Sequence, residues 1–511
     1  MFRKVLVANR GEIAVRIMRG LRESGIASVA VYSEADRASL HVRLADEAVS
    51  IGASESRQSY LNMERIIQAA GATGAEAIHP GYGFLSENAD FAELCHKQGL
   101  VFIGPPASAI RAMGLKTEAR RVAQQAGVPV VPGAENPVTD LREAKMIAAA
   151  MGYPVMLKAA AGGGGKGMRQ VRAEVDLEAA LRDASSEAER SFSNGAVYLE
   201  RCIEKPRHIE IQVLLDQHGN GVHLGERECS IQRRHQKVIE ECPSPFTASR
   251  PELREQMGQA ALRAARAAGY HNAGTVEFLV DETGSFYFLE MNTRLQVEHP
   301  VTELVTGRDL VQWQLRVAAG ERLGFTQRDV VWNGAAIECR ICAEDPDRQF
   351  LPSPGRIEAI QAPTGPGVRL DTGVYAGWMV PVEYDPLLAK LVVWAETRKE
   401  AIDRLRVALR EFSIRGIKTN LSFFRQVVYD SEFQAGNLHT GFIEEFFARS
   451  AAGRSAAGKP PDSRRDAVAA IAAVLHWRKH NRVPAPSGAQ PVSNAQPASR
   501  WLSEGRSQGL R

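Results

Sequence analysis

The sequence predicts a mixed α/β and α+β chain. A doubly wound N-terminal domain leads into a small glycine-flap unit and then a larger, strand-rich region. Three observations carry this. Short apolar runs alternate with helical stripes over residues 1 to about 110. A run of four glycines lies between two strand-like segments. From about 204 to 446 strand patterns dominate, with helices expected near 251–268 and 398–411.

In order along the chain, KVLVA reads as a first apolar strand, followed by a helix with Ile13, Ile17 and Leu21 on one face. SVAVYS is a second strand. EAIHPGYGFLSEN reads as strand, tight turn and helix, capped by Ser86 with Glu87 and Asn88 in the first turn. VFIGPP closes the series. The first turn, ANRGE, has one glycine and lacks the GxGxxG dinucleotide fingerprint.

YPVMLKA then reads as a strand, AGGGGKG as a loop and MRQV as a returning strand. A P-loop needs GK[ST] opening a helix, whereas Lys166 is followed by Gly167 and a strand. Strand, glycines, strand describes a flap whose backbone amides can approach phosphates. The plainer alternative is a flexible hairpin tip. Lys158 ends an apolar run, where a charge is costly unless it meets an anion.

Composition narrows the partners. The 511 residues are 44% hydrophobic, enough for several cores. Lys plus Arg is 63 against 60 Asp plus Glu, which disfavours nucleic acid or an anionic membrane surface as the main partner. No apolar run approaches the ~18 residues of a membrane span. The charged start MFRK does not read as a signal peptide. Six cysteines in a chain of this length suggest a reducing cytoplasm. Cys339 and Cys342 would face opposite sides of a strand and read as packed thiols.

GTVEFLVDETGSFYFLEMN reads as a hairpin. A two-residue Thr283-Gly284 turn sets Glu277 opposite Glu290, with Asn292 on the same face as Glu290. On strict alternation Phe286 and Phe288 share that face. Opposed like charges repel, so a cation between them is expected. Two carboxylates and an amide oxygen suit Mg²⁺ or Mn²⁺, with nucleotide phosphates completing the shell. A longer turn would leave the pair diagonal, and two solvated acids remain the plainer alternative. In NTRLQVEHPVTE, Arg294, Gln296 and Glu298 alternate and share one face if the segment is extended. An arginine fork and an amide suit a small planar oxyanion, and a neighbouring carboxylate can act as general base. Arg340 lies in the apolar strand AIECRICAE, where a cation calls for a partner. SIQRRHQKVIEE gathers Arg233, Arg234, His235 and Lys237 in a nearly neutral chain, a local excess of charge that calls for an anionic ligand.

These segments match a family. ANRGEIAVRI, AIHPGYGFLSEN, KAAAGGGGKGM, RHIEIQVL, ERECSIQRRHQKVIEE, EMNTRLQVEHPVTE, ECRICAEDP and FLPSPG occur in order over residues 1 to about 446. The chain resembles biotin carboxylase, the ATP-grasp component of acetyl-CoA and related acyl-CoA carboxylases. The resemblance implies an ATP-grasp fold with domains at 1–115 and 116–203, a core plus C-terminal domain at 204–446, and an extension at 447–511. It also implies carboxylation of carrier-bound biotin by bicarbonate, with ATP, Mg²⁺ or Mn²⁺, and carboxyphosphate as intermediate. Another ATP-grasp ligase, of the carbamoyl-phosphate type, is the alternative.

Carried over by position, Lys116, Lys158 and His208 contact ATP, with Gln232 and His235, and Gly163, Gly164 and Gly165 form the lid. Glu200, Arg201 and Ile203 form the adenine site. Glu277, Glu290 and Asn292 hold the metal. Lys237, Arg294, Gln296, Val297 and Glu298 hold bicarbonate, with Glu298 as base. Tyr82 and Arg340 face biotin, Arg340 stabilising its enolate. The loop departs from the pattern of many relatives, with four glycines and Lys166 in place of five and an arginine.

The implied partners are a biotin carboxyl carrier and a carboxyltransferase, in a homodimer or a larger hetero-oligomer. No AMKM biotin-attachment motif follows the matched region, so the carrier is expected on another polypeptide or a downstream part. A helix at about 465–480, followed by PAPSGAQPVSNAQPAS, is expected either to dock a partner or to be a disordered extension.

Overall fold

The computed structural model describes residues 1–134, 137–138, 140–159, 168–192 and 195–456, with 471, 472 and 474. Met1–Phe447 forms one compact unit. In the second, Ala448–Arg511, the described residues are helical. The glycine flap tip, including Gly163, Gly164 and Gly165, lies outside the described residues, as does nearly all of the expected 465–480 helix.

Strands β1 (Lys4–Val7), β2 (Ala27–Ser33), β3 (Glu47–Gly52), β4 (Ala77–His79) and β5 (Val101–Phe102) form a parallel sheet in the order β3-β2-β1-β4-β5. This is a doubly wound order, with its switch point between β1 and β4. The helix Gly11–Glu23 buries Ile13, Ile17 and Leu21 as the periodicity predicts. β3 escapes a sequence reading because it lies at the sheet edge with only Ile51 buried. The helix after β4 spans Ala89–Lys97, and Asn88, not Ser86, caps it: Phe91 N donates to Asn88 Oδ1 at 2.8 Å. Ser86 still belongs to the preceding turn, its N–H bonded to the Gly83 carbonyl.

β6 (Val155–Ala159) pairs antiparallel with β7 (Arg169–Val171) and β8 (Val197–Arg201). The expected strands on either side of the glycines are therefore β6 and β7. The helices Leu141–Met151 and Glu174–Phe192 accompany this small sheet.

The largest sheet has eight strands. β9 (Arg207–Leu215), β10 (Gly221–Arg233), β11 (Gln236–Cys242), β12 (Asn272–Val280), β13 (Phe286–Asn292) and β14 (Ala335–Cys342) join Leu387–Ala395 and Val368–Thr372. The order is β13-β12-β9-β10-β11-β14, then Leu387–Ala395 and Val368–Thr372. The expected helices form at Pro251–Ala267 and Arg398–Glu411. The second buries Leu405 and Leu409 with Ile337 and Leu391 of the sheet. Among the described residues, no helix is long and apolar enough to cross a membrane. All six cysteines are free thiols.

The β12–β13 hairpin differs from its expected form in an informative way. Its turn is not the two-residue Thr283-Gly284 pair. Asp281 N donates to Ser285 O at 2.9 Å, Gly284 N donates to Asp281 O at 3.1 Å, and Gly284 alone takes a positive φ of 93°. A two-residue turn of the common kind would force the β-branched Thr283 to positive φ, which its side chain resists. The register from the turn is therefore one residue off the expected ladder: Val280 pairs with Phe286. An irregularity between Glu277 and Phe278 then restores Glu277 opposite Glu290, leaving Leu289 as the extra residue. The bulge reverses the alternation. Phe286, Phe288 and Met291 face the core, while Tyr287, Leu289, Glu290 and Asn292 face the cleft. Glu290 thus does not share a face with Phe286 and Phe288.

Candidate active site

A cleft of about 1940 Å³ runs between the sheets. The parallel sheet lends it Asn9, Arg10 and Tyr82, from the loops after β1 and β4. The small sheet lends Lys158 and Arg201, with Ile203 just beyond. The large sheet lends His208, Gln232, Lys237, Glu277, Glu290, Asn292 and Arg340, joined by Lys116, His235, Arg294, Gln296 and Val297. Among the described residues, two of the predicted ones do not line it. Glu200 lies behind Lys158, bonded to Lys158 Nζ at 2.6 Å and Arg120 Nη1 at 2.7 Å. Glu298 is fully buried beneath the floor.

Lys237 is the centre of this floor. Its Nζ donates to Glu277 at 2.7 Å, to Glu298 at 2.8 Å and also to Glu210. Glu298 receives a second cation, Arg340 Nη2, at 2.9 Å, while Arg340 Nε donates to Glu240 at 2.5 Å. Burial pushes the Glu298 carboxyl up, but Lys237, Arg340 and Arg227 outweigh it and hold the group well below the usual carboxylate range. Glu277 behaves alike: burial raises it, and Lys237 and His208 pull it down further. Burial raises Glu240 to about 7 against the pull of Arg340.

Polar side chains then fix the neighbours. Asn292 Nδ2 and Gln296 Nε2 donate to Glu277 Oε1 at 2.8 and 3.1 Å. Arg294 donates to Gln296 Oε1 at 2.7 Å, Asn292 Oδ1 at 2.9 Å and Glu87 at 2.9 Å. Gln232 Nε2 donates to His208 Nδ1 at 2.8 Å, leaving His208 Nε2 3.0 Å from Glu277 Oε2. The segment 293–298 is a turn leading into the helix His299–Thr306, not the extended stretch that alternation suggested. Arg294, Gln296 and Glu298 still converge: Gln296 bonds Glu277, Glu298 bonds Lys237, and Arg294 is tied to them through Gln296 and Asn292. In SIQRRHQKVIEE, Arg233 bonds Glu344 at 2.9 Å and Glu241 bonds Arg398 at 2.6 Å, so both pin the hairpin to neighbouring elements.

The acids suit a divalent cation. Glu277 and Glu290 are directly opposed, and burial together with the Glu277 charge pushes the Glu290 carboxyl up, a repulsion that a cation between them would remove. His208, Glu210 and Glu277 also bring ligand atoms within 4.8 Å of one another, as do Glu210, Cys229 and Glu298. In both groups the Lys237 ammonium already supplies the positive charge.

Three groups were not singled out from the sequence. Arg227, wholly buried, donates to Glu210 at 2.5 Å and to Gln212 and Thr302 at 2.7 and 2.9 Å. Glu210 anchors both Arg227 and Lys237. Glu87 anchors Arg294. A signal was present for Glu210, a charge inside the largely apolar run of β9, where only paired charges are stable.

Three family models match most of residues 1–445. Residues 1–110 match the biotin carboxylase N-terminal domain and 338–445 its C-terminal domain. Residues 116–326 match the carbamoyl-phosphate synthase L chain ATP-binding domain. A biotin carboxylase of Nostoc sp. is 55% identical over 444 residues, 87% of this chain and 99% of the relative. The chain belongs to the biotin carboxylase family. Its ATP-binding region matches a domain named for carbamoyl-phosphate synthase, while the domains on either side match biotin carboxylase and favour that family over the alternative. A propionyl-CoA carboxylase alpha chain of Ruegeria pomeroyi is 49% identical, over 93% of this chain and 72% of the relative. The biotin carboxylase domain of 2-oxoglutarate carboxylase from Hydrogenobacter thermophilus, solved as a dimer with MgADP, ADP and bicarbonate, superposes with a TM-score of 0.81 at 50% identity, covering 87% of this chain and 98% of that one.

Proposed function

We propose that this member of the biotin carboxylase family works through the cleft residues as follows. ATP and bicarbonate meet above Lys237. The bicarbonate oxygen attacks the γ-phosphorus, ADP leaves, and carboxyphosphate forms. Lys158, His208 and Lys116 serve the phosphates, with Gln232, His235 and the glycine lid. Arg201, Ile203 and Glu200 serve the base. Glu277, Glu290 and Asn292 would hold a divalent cation, which neutralises phosphate charge when bound.

The observation that carries the reading is the convergence of three cations, Lys237, Arg340 and Arg294, around the buried carboxylates Glu298 and Glu277. Preorganised cations of this kind stabilise a short-lived, multiply charged anion. Glu298, kept ionised by Lys237 and Arg340, is suited to take the bicarbonate proton. Carboxyphosphate then releases CO₂ and phosphate. The released phosphate takes the ureido N–H proton and the freed nitrogen bonds to CO₂, while Arg340 offsets charge on the ureido oxygen and Tyr82 walls the pocket.

The partners would be a biotin carrier and a carboxyltransferase, with the family component paired as a dimer. The six free thiols support a reducing, cytoplasmic setting. The final acceptor is not encoded in this component: relatives of nearly equal identity carry the names of a propionyl-CoA and a 2-oxoglutarate carboxylase.

The test is bicarbonate-dependent ATP cleavage stimulated by free biotin. A folded, purified chain without it overturns the reading. Glu298→Gln should abolish turnover and leave ATP binding intact.

A further inference from the structure

Lys390, on the strand Leu387–Ala395, is wholly buried, yet it touches neither the cleft nor solvent. It lies directly across from Arg340 on one side and Asp371 on the other. Arg369 occupies both Asp371 oxygens, at 3.0 and 2.7 Å, and Lys390 Nζ stays 4.0 Å from the nearer one. The ammonium turns elsewhere. It donates to the Val297 carbonyl at 2.8 Å and pairs with Glu12 Oε1 at 3.2 Å. That same Glu12 oxygen accepts from the Tyr82 hydroxyl, and the Tyr82 ring centroid is 5.9 Å from Nζ.

A packing role alone would not call for a charge here. A buried ammonium is costly, and an apolar side chain of similar volume would fill the space without that cost. What the charge adds is direction. The carbonyl it holds belongs to the Val297–Glu298 peptide, so it fixes the orientation from which Glu298 springs. The acid it holds carries Tyr82. The backbone is built for this approach: a Cβ on Gly373 would fall 2.6 Å from Glu12 N, so the end of the strand Val368–Thr372 presses directly on the start of the helix Gly11–Glu23.

We propose that Lys390 is a positioning residue for biotin carboxylation, registering Glu298 and, through Glu12, Tyr82 against Arg340 on the adjoining strand. It gathers three separate chain segments around the biotin end of the cleft. Its own direct partners are the Val297 carbonyl, Glu12 and the Tyr82 ring, and none of them lies on β6, β8 or the β12–β13 hairpin at the nucleotide end. The inference rests on the function proposed above.

The test compares purified full-length wild type, Lys390→Met, Glu12→Leu and Glu12→Gln. Wild type must first carboxylate free biotin; its failure would overturn the functional reading and not this one. Lys390→Met should lower kcat for biotin carboxylation about 10- to 100-fold, the scale of a small misplacement of reacting groups, with KM for ATP within about twofold of wild type. Glu12→Leu should lose as much, whereas Glu12→Gln, which keeps an acceptor oxygen for Tyr82 and Lys390, should recover most of it. A kcat for Lys390→Met within twofold of wild type overturns the proposal, as does a matching rise in KM for ATP. If Lys390→Met does not fold, the Glu12 pair decides: equal rates for Leu and Gln at position 12 overturn it.

Discussion

Lys237 shows how charge beneath the cleft is balanced residue by residue. It neutralises Glu277 and Glu298 directly and shares Glu210 with Arg227. Replacing it with methionine takes the ammonium from Glu277 and leaves Glu298 and Glu210 with Arg340 and Arg227 alone. Removing one partner of a buried pair costs about 3–5 kcal/mol near neutral pH. The sign of the pH dependence follows from Glu298 and Glu277, both held low in the fold. Groups depressed in the folded state contribute stability above their unfolded value of ~4.3, and lose it as pH falls through the folded value. The gap between wild type and Lys237→Met should therefore be widest at neutral pH and narrow in acid, as read by urea denaturation. Glu12 has the opposite sign. Burial, opposed by Lys390, raises it to about 7. The folded chain keeps a proton that the unfolded chain has lost, so stability declines as pH rises from ~4.5 to ~7, by up to about 3 kcal/mol. Glu12→Gln has no such proton. Its stability relative to wild type should climb across that window and level off above it, as checked by denaturation at several pH values.

At the scale of elements, the β12–β13 hairpin shows what a period-2 pattern can and cannot reveal. Alternation together with the turn was enough to set Glu277 against Glu290. It was not enough to find the bulge, because a one-residue register offset and a one-residue bulge cancel at that pair. The faces of Phe286 and Phe288 were misread for the same reason. Turn 293–298 was hidden in a similar way: side chains alternating in sequence can converge from a turn as well as from a strand. The glycine-flanking strands, the helix Gly11–Glu23 and the doubly wound class of the first domain were legible because each rests on strong local periodicity. The bulge makes a prediction. Deleting Leu289 removes the extra residue and leaves continuous pairing from Val280–Phe286 to Glu277–Glu290, so Glu290 and Asn292 still face the cleft. The deletion variant should fold and keep the rise in melting temperature that MgATP gives wild type. Loss of that rise in a folded variant would mean that the bulge itself shapes the site.

Across the whole molecule, the site is assembled late in the logic of the chain. Its walls come from three sheets that share no strand, and its charged floor comes from residues as far apart as Glu87 and Arg340. Local sequence could suggest most of the charged groups as candidates, but not Arg227 or Glu87, nor that Glu298 lies under the floor or that Glu200 lies behind Lys158. Those placements depend on packing between distant segments. Every described site residue and all seven hydrophobic clusters lie within Met1–Phe447. The last of these residues, Phe442, Ile443 and Phe446, are buried on the helix Phe442–Ala456 and belong to the cluster around Phe423 and Phe424. A chain ending at Ala456 keeps that helix whole. It should unfold within a few degrees of the full chain, because no cluster loses a member, and cleave ATP with free biotin at a rate within about twofold, because each charge pair beneath the cleft is retained. Thermal melts and steady-state rates on the two chains check this. A large fall in either would place part of the folding or catalytic energy in residues 457–511 and would overturn the assignment of the site to the Met1–Phe447 unit alone.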